Sequence, residues 1–439
     1  MMATPSRPRL RRISRRLWLC LVRSTIEPAP PAALAWRSVN TAPDTPRPLL
    51  VDADALVPDL LADLRRLVEV ETPSADLAAV ARGAAAVADV VEERLGRRPE
   101  TIVEHGVTHL RLQLGGPTRV LLLCHQDTVW PVGTLERLPW SQRDGVVRGP
   151  GTFDMLTGLV MAVHACALLQ DRSGPGALDG VTLLVTGDEE VGSTHSRELI
   201  LQTAQGAAGV LVLEASADGG AVKVARKGAG RYRLELQGVA AHAGLDPERG
   251  VSALLELAAQ LPRILELADP EQGTTVTPTT FAGGTTTNTV PATATLDIDV
   301  RAASAAELER VHEGLHTLRA TQEGAQVRTV GEINRYPMER HHSAELWGRY
   351  ADVCASLGLP VPDAVAVGGA SDGNFTAAAG IPTLDGLGAV GGGAHAEHEH
   401  VLVDQIAPRT AVLARLVEQL RDAAPARGGA SAAPGRRAD

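Results

Sequence analysis

The residues able to do chemistry stand at the ends of apolar or glycine-rich segments. His125 and Asp127 close "RVLLLCHQDT", Asp154 lies in "GPGTFDMLTG", and Glu189 and Glu190 follow "GVTLLVT". Glu214 ends "GVLVLEA", and His395 lies in "GGGAHAEHEH". Two imidazoles and several carboxylates, with no thiolate, suit hard or borderline divalent cations such as zinc, cobalt or manganese. One carboxylate can bridge two such ions at a separation of roughly 3.5 to 4 Å. Asp154 is the candidate bridge, with His125 and Glu214 completing one ion and Glu190 and His395 the other. Neighbours on an extended segment point to opposite faces, so Glu189 joins Glu190 in one site only through a turn. Glu189 is then free to act as base on a water, and Asp127 to orient the His125 ring.

Each residue also has a plainer reading. Asp154 after Gly-Thr-Phe could simply cap a helix. His395 competes with His398 and His400 in a polar run, with Glu399 as an outer partner. Glu189 and Glu190 could be a solvated pair, but an acidic pair after "VTLLVT" is costly unless something compensates it.

These residues need a scaffold. Apolar spacing predicts helices in "DADALVPDLLADLRRLVEV", "AAVARGAAAVADVVEERLG", "LTGLVMAVHACALLQ" and "SRELILQTA", alternating with the buried strands named above. Continuously apolar strands separated by helices imply a mixed, mostly parallel sheet covered on both faces. Ligands of such sheets bind at the strands' C-terminal ends. From residue 226 to 332 the pattern becomes βαββαβ, with "GRYRLELQGVAAHAG" and "NTVPATATLDIDVRA" alternating like half-exposed strands. This α+β, ferredoxin-like unit is inserted into a larger α/β domain of residues 49–225 and 333–423. Residues 1–48 and 424–439 are Arg-, Pro- or Gly-rich and not expected to pack. The first of them read as a disordered extension, an early start or a targeting segment.

The chain has 439 residues and a formal charge of −10, too long for one ordinary core and not charged like a nucleic-acid binder. Cys20, Cys124, Cys166 and Cys354 form no C-x-x-C pair, which favours a reducing, cytoplasmic setting. No stretch reads as a spanning helix of roughly 18 uncharged apolar residues, so no membrane partner is expected.

Taken together, "CHQDTV", "GPGTFDM", "TGDEEVGS", "AHAG" with "PERGVSAL", "GGASDGNF" and "GGGAHAEHE" resemble the M20 family of metallopeptidases, over about residues 50 to 420. The resemblance implies a di-zinc exopeptidase-like domain with an inserted lid through which the chain pairs as a homodimer. It also implies metal ligation by His125, Asp154, Glu190, Glu214 and His395, Glu189 as acid and base, and Asp127 beside His125. His242 would cross the dimer to stabilise an oxyanion. Asn288 and Arg301 would hold a substrate carboxylate, and Gly373 would lie against the ligand. Glutamate at 214 matches the deacylase and carboxypeptidase branches, and "ARKG" and "SDGNF" lean to the glutamate carboxypeptidases. The implied substrate is an N-acyl amino acid or peptide-like amide beside a free carboxylate. N-carbamoyl amidohydrolase and non-catalytic metal-binding readings stand as alternatives. Two departures stand out: Leu156 replaces a lysine, removing a surface or near-site cation, and Cys124 replaces a glycine, adding a thiol open to oxidation.

Overall fold

The computed structural model describes residues 47–423; the two terminal segments expected not to pack lie outside the described residues, save for Arg47 and Pro48 at the start of a helix. The central sheet runs in the order Glu100–Glu104, Val107–Leu114, Val181–Thr186, Val120–His125, Gly209–Val212 and Thr383–Leu384. Its last four strands are parallel and the first two form an antiparallel edge. That edge is absent from the sequence reading, because "ETIVE" is exposed on both faces and shows no apolar period.

Every residue of Val120–His125 is buried, and the strand serves two cores at once. Leu121 and Leu123 enter one with Leu184, Ile200 and Phe375, while Leu122 and Cys124 enter the other. Alternate residues face opposite sides of a strand, so a sheet covered on both faces demands an unbroken apolar run. The most deeply buried helix on the second face, Thr157–Ser173, packs against Leu77–Leu95 and Ile406–Asp422. By length and composition the helical stretch Thr152–Ser173 could cross a membrane, contrary to the expectation that no stretch reaches that length. Its most apolar window is 89% buried, so it is a core helix. A Cβ on Gly158 would lie 1.9 Å from the carbonyl oxygen of Leu213. The bare glycine therefore lets this helix lie directly on the strand end that carries Glu214.

Both departures from the resemblance resolve into packing. Leu156 is 3% exposed within the main core, so position 156 offers no place for a surface cation. Cys124 is buried, and burial raises its thiol far above the usual range, leaving it neutral and unreactive.

The inserted sheet has the order Thr275–Gly283, Thr293–Ala302, Gly228–Gln237, Gln326–Arg335, all antiparallel. Helices Ala253–Leu265 and Ala305–His316 cover one face, where Leu234, Leu296, Val300, Leu308 and Val311 form a separate core. This is the βαββαβ topology of a ferredoxin-like unit. The strand Thr275–Gly283 is Thr-rich, broken by Pro278, and almost wholly exposed, which is why its pattern is weak in the sequence. The last strand continues to Arg335, three residues past the expected boundary.

Beneath the sheet, the buried Asp63 carboxylate receives Arg94 Nε at 2.7 Å and Nη2 at 3.2 Å, and lies 2.8 Å from His164 Nε2. Burial opposes its ionised form, but the hydrogen bonds from His164 and Arg94 prevail and hold the carboxyl below its usual value. Because the folded pKa is depressed, this stabilisation is present above the unfolded value near 3.9 and is lost as pH falls through the folded value. Asp63→Asn is expected to cost about 3 kcal/mol at pH 7 by stranding buried partners. In urea unfolding the gap from wild type should narrow below about pH 4; a constant gap would assign the effect to packing.

Candidate metal centre

Three of the chemical side chains stand at the C-terminal edge of the parallel strands. His125 is the last residue of its strand, register-paired with Thr186, three positions before Glu189. Glu214 lies two residues beyond Gly209–Val212. The chain turns sharply after Thr186: Asp188 Oδ2 accepts from the backbone of His195 and Ser196, and residues 189–191 form a 3₁₀ turn ending at Gly192, φ 102°. Such a turn advances about 120° per residue, so Glu189 and Glu190 escape the alternation of a strand.

Asp154 lies between two imidazoles. Its Oδ1 is 3.4 Å from His125 Nε2, and its Oδ2 is 3.4 Å from His395 Nε2. Glu214 Oε1 lies 3.4 Å from His125 Nε2, and Glu190 Oε2 lies 3.0 Å from His395 Nε2. The distances thus divide the donors into His125 with Glu214 and His395 with Glu190, Asp154 facing both. Donor atoms of His125, Asp154 and Glu190 fall within 4.8 Å of one another, as do those of His125, Glu189 and Glu214.

The set fits divalent cations on independent grounds. His125 Nε2 and Glu189 Oε1 are buried with no hydrogen-bond partner, which is costly unless a ligand completes them. Burial opposes charging of His125, yet Asp127, Asp154 and Glu214 raise its proton affinity well above the usual value. Asp154 and Glu190 push His395 up to about 10. Burial holds the Glu189 carboxyl well above the ordinary carboxylate range, with Arg335 opposing. The two imidazole shifts record the negative charge gathered around them, and the Glu189 shift records its burial.

Asp127 holds more than the ring. His125 Nδ1 lies 3.0 Å from the backbone oxygen of Asp127, while the carboxylate is 3.5 Å away. That carboxylate instead accepts from the backbone N–H groups of Glu189 and Glu190, both at 3.2 Å, and from Ser74 Oγ at 2.6 Å. The expected ring-orienting role therefore falls largely to its main chain, and its side chain anchors the acidic turn.

Three expected substrate residues stand apart. His242 and Asn288 are exposed on the inserted unit, beside the ribbon that pairs Ala241–His242 with Thr289–Val290. His242 Nδ1 accepts from the backbone of Gly244 and Leu245. Arg301 forms a bidentate pair with Asp299 on its own strand. Among the described residues none of the three bonds to the acidic cluster. Gly373 is buried against protein: a Cβ there would lie 2.9 Å from Val212 Cγ2 and 3.1 Å from Asp385 Oδ2. Close packing against protein is by itself enough to require a glycine there.

The sequence reading misses the cations that compensate the cluster. Buried Arg226 donates to Asp385 at 2.8 and 2.7 Å, and its Nη2 lies 3.4 Å from Glu214 Oε2, leaving Oε1 toward His125. Buried Arg335 donates to Asp372 at 2.9 Å and lies 3.1 Å from Glu189 Oε1, outside hydrogen-bonding geometry. The available signal was Arg226 in the strand-like "VKVAR" and the lone Asp385 in "PTLDGLG", since such residues are buried only when paired. Glu399 is also more than an outer partner of His395. It accepts from the backbone of Gly151, Phe153 and Asp154 at 2.9, 2.8 and 3.1 Å and from Trp130 Nε1 at 2.9 Å. Burial still pushes its carboxyl up to about 7.

The sequence pattern of "Peptidase family M20/M25/M40" matches residues 121–419. The chain belongs to this family and is a metal-dependent hydrolase. It is 28% identical over 377 residues to carboxypeptidase G2 of Pseudomonas sp. (strain RS-16), covering 83% of this chain and 89% of that one. It is 27% identical over 376 residues to a succinyl-diaminopimelate desuccinylase of Dechloromonas aromatica (strain RCB), covering 76% and 93%. Its fold is similar to aminopeptidase PepT from Bacillus cereus ATCC 10987, with TM-score 0.65, 21% identity and coverage of 83% and 99%. It is also similar to the M20 family metallo-carboxypeptidase Sso-CP2 from Sulfolobus solfataricus, with TM-score 0.65, 16% identity and coverage of 82% and 99%.

Glu399 fixes the loop that aims Asp154, so its loss should act on metal affinity. Glu399→Gln is expected to weaken binding by roughly tenfold or more, read by competition against a metallochromic chelator. Unchanged affinity would confine Glu399 to folding.

Proposed function

We propose that this hydrolase cleaves an amide bond next to a free carboxylate, using two divalent cations, zinc in the native enzyme, with cobalt or manganese able to substitute. The observation that carries this reading is Asp154, whose two oxygens face His125 and His395 separately, 3.4 Å from each. His125, Asp154 and Glu214 would hold one ion, and Asp154, Glu190 and His395 the other.

When bound, such a pair acidifies water toward a pKa of about 7 and polarises a carbonyl. Glu189 is left out of both ligand sets in this reading: one of its oxygens is buried beside His125 and Glu214 without a hydrogen-bond partner, within reach of a water held there, and Asp127 fixes its backbone. Its carboxylate takes the proton of the attacking water and returns it to the leaving nitrogen. His242, donated by a second copy of the chain, steadies the oxyanion. Asn288 and Arg301 receive the substrate's carboxylate, Arg301 exchanging Asp299 for it. Relatives that are a carboxypeptidase and a desuccinylase support an amide with an adjacent carboxylate.

Glu189→Gln should retain both metals by elemental analysis and lose roughly a thousandfold or more in kcat on N-acyl amino acids or glutamyl-terminated amides. Near-normal turnover would remove Glu189 from the role. Ammonia release from N-carbamoyl amino acids, with those amides untouched, would reassign the substrate. If His242 crosses a dimer, two inactive variants should rescue each other. A 1:1 mixture of Glu189→Gln and His242→Ala, exchanged to equilibrium, would regain about a quarter of wild-type activity, since half the dimers are mixed and one site in each is whole. No recovery would place His242 in its own subunit's site or in none.

A further inference from the structure

A cavity of about 410 Å³ opens between the hairpin of Ser141–Arg143 and Val146–Arg148 and the loop after His395. None of the five proposed metal ligands lines it, although Glu399, bonded to the Asp154 backbone, forms part of its wall. Its size suits a single-ring ligand; small-molecule sites run from about 300 to 1,000 Å³.

The charge of the lining is selective. Arg137, Arg143 and Arg148 all face the cavity, against Glu397 and Glu399. Arg137 and Glu397 pair with one another, and the Glu399 carboxylate is turned into the protein toward four N–H donors. Arg148 spends one nitrogen on the carbonyl of His398 at 3.0 Å, and among the described residues the exposed Arg143 side chain forms no hydrogen bond or ion pair, its backbone alone pairing in the hairpin. Two guanidinium groups are thus left with donors in hand. Beside them, the Trp130 indole is fixed through its N–H by Glu399, so its ring forms a standing wall. A fixed aromatic face next to planar cations is the chemistry that grips a flat anion, the ring by stacking and the acid by paired N–H donors.

We propose that this cavity is a binding site, separate from the metal centre, for a small molecule with a flat apolar body and a carboxylate or phosphate held by Arg143 and Arg148. Isophthalate and phenyl phosphate serve as probes of the two acid classes, with neutral benzamide as control, titrated into the metal-loaded full-length protein by calorimetry. At least one acid is expected to bind with a dissociation constant of roughly 1 mM or tighter, weakening with salt, while benzamide does not bind. Arg143→Ala/Arg148→Ala should weaken binding about tenfold or more with metal content unchanged, and ligand quenching of tryptophan fluorescence should vanish in Trp130→Phe. If the double variant does not fold, Arg143→Ala alone, which removes no intramolecular bond, reads the same loss. No binding by either acid, or affinity that survives the arginine substitutions, would overturn the proposal; dependence on metal in place of arginine would assign the anion to the metal centre.

Discussion

Five carboxylates, those of Asp127, Asp154, Glu189, Glu190 and Glu214, crowd one cleft largely shielded from solvent, and the rest of the structure follows from making that tolerable. Two like charges 4 Å apart repel by roughly 4 kcal/mol at an effective dielectric of about 20, and each buried ion also loses hydration. The protein answers with three kinds of positive charge. Backbone N–H groups take the Asp127 carboxylate, Arg226 and Arg335 stand behind Glu214 and Glu189, and two imidazoles flank Asp154. Two polar atoms of the cluster, His125 Nε2 and Glu189 Oε1, remain buried without a hydrogen-bond partner.

The scaffold places these groups by two different means. The parallel strands deliver His125 and Glu214 at fixed heights on one sheet edge, and Gly158 lets the long core helix close on the backbone beside Glu214. Asp154 and His395 come from loops, where the backbone itself fixes no direction. Glu399 supplies it for Asp154 by gathering three N–H groups of the loop. His395 is held at φ 61°, a left-handed conformation that costs a non-glycine residue roughly 1 to 2 kcal/mol. The loop around it is tight: a Cβ on Gly393 would lie 2.9 Å from the Glu399 backbone, so Gly393 lets the segment fold onto the residue that holds Asp154.

Side chains that end apolar strands were legible in the sequence, since a carboxylate or imidazole after "RVLLLC" or "GVLVL" has no packing reason to be there. The M20 resemblance and the α/β architecture were legible for the same reason, through buried strands and the order of the motifs. Partners brought from afar were not. Arg335 reaches Glu189 across 146 positions of chain and Glu399 reaches Asp154 across 245, and neither spacing leaves a local period. Asp127 lies beside His125, but whether its side chain or its carbonyl faces the ring depends on a hydrogen bond to a turn that only the fold creates. The resemblance placed Gly373 against a ligand; the packing of Val212 and Asp385 around it comes from distant parts of the chain and leaves no mark beside it in the sequence.

The same long-range bonds tie the inserted unit to the acidic turn. Arg231 donates to the carbonyl of Val191 at 3.2 Å, Asn334 to that of Gly192 at 3.1 Å, and Arg335 to Ser193 Oγ at 2.5 Å. All three donors lie on the inserted sheet's two neighbouring strands, Gly228–Gln237 and Gln326–Arg335, and all three acceptors lie within the residues that immediately follow Glu190. A rigid sheet moves as a body, so displacement of the unit would pull on the turn that carries both Glu189 and Glu190 before it disturbed His125 or Glu214, which the parallel strands hold. The sheet edge that carries His125 and Glu214 is therefore the fixed half of the acidic cluster, and the turn that carries Glu189 and Glu190 is the half tied to the inserted unit.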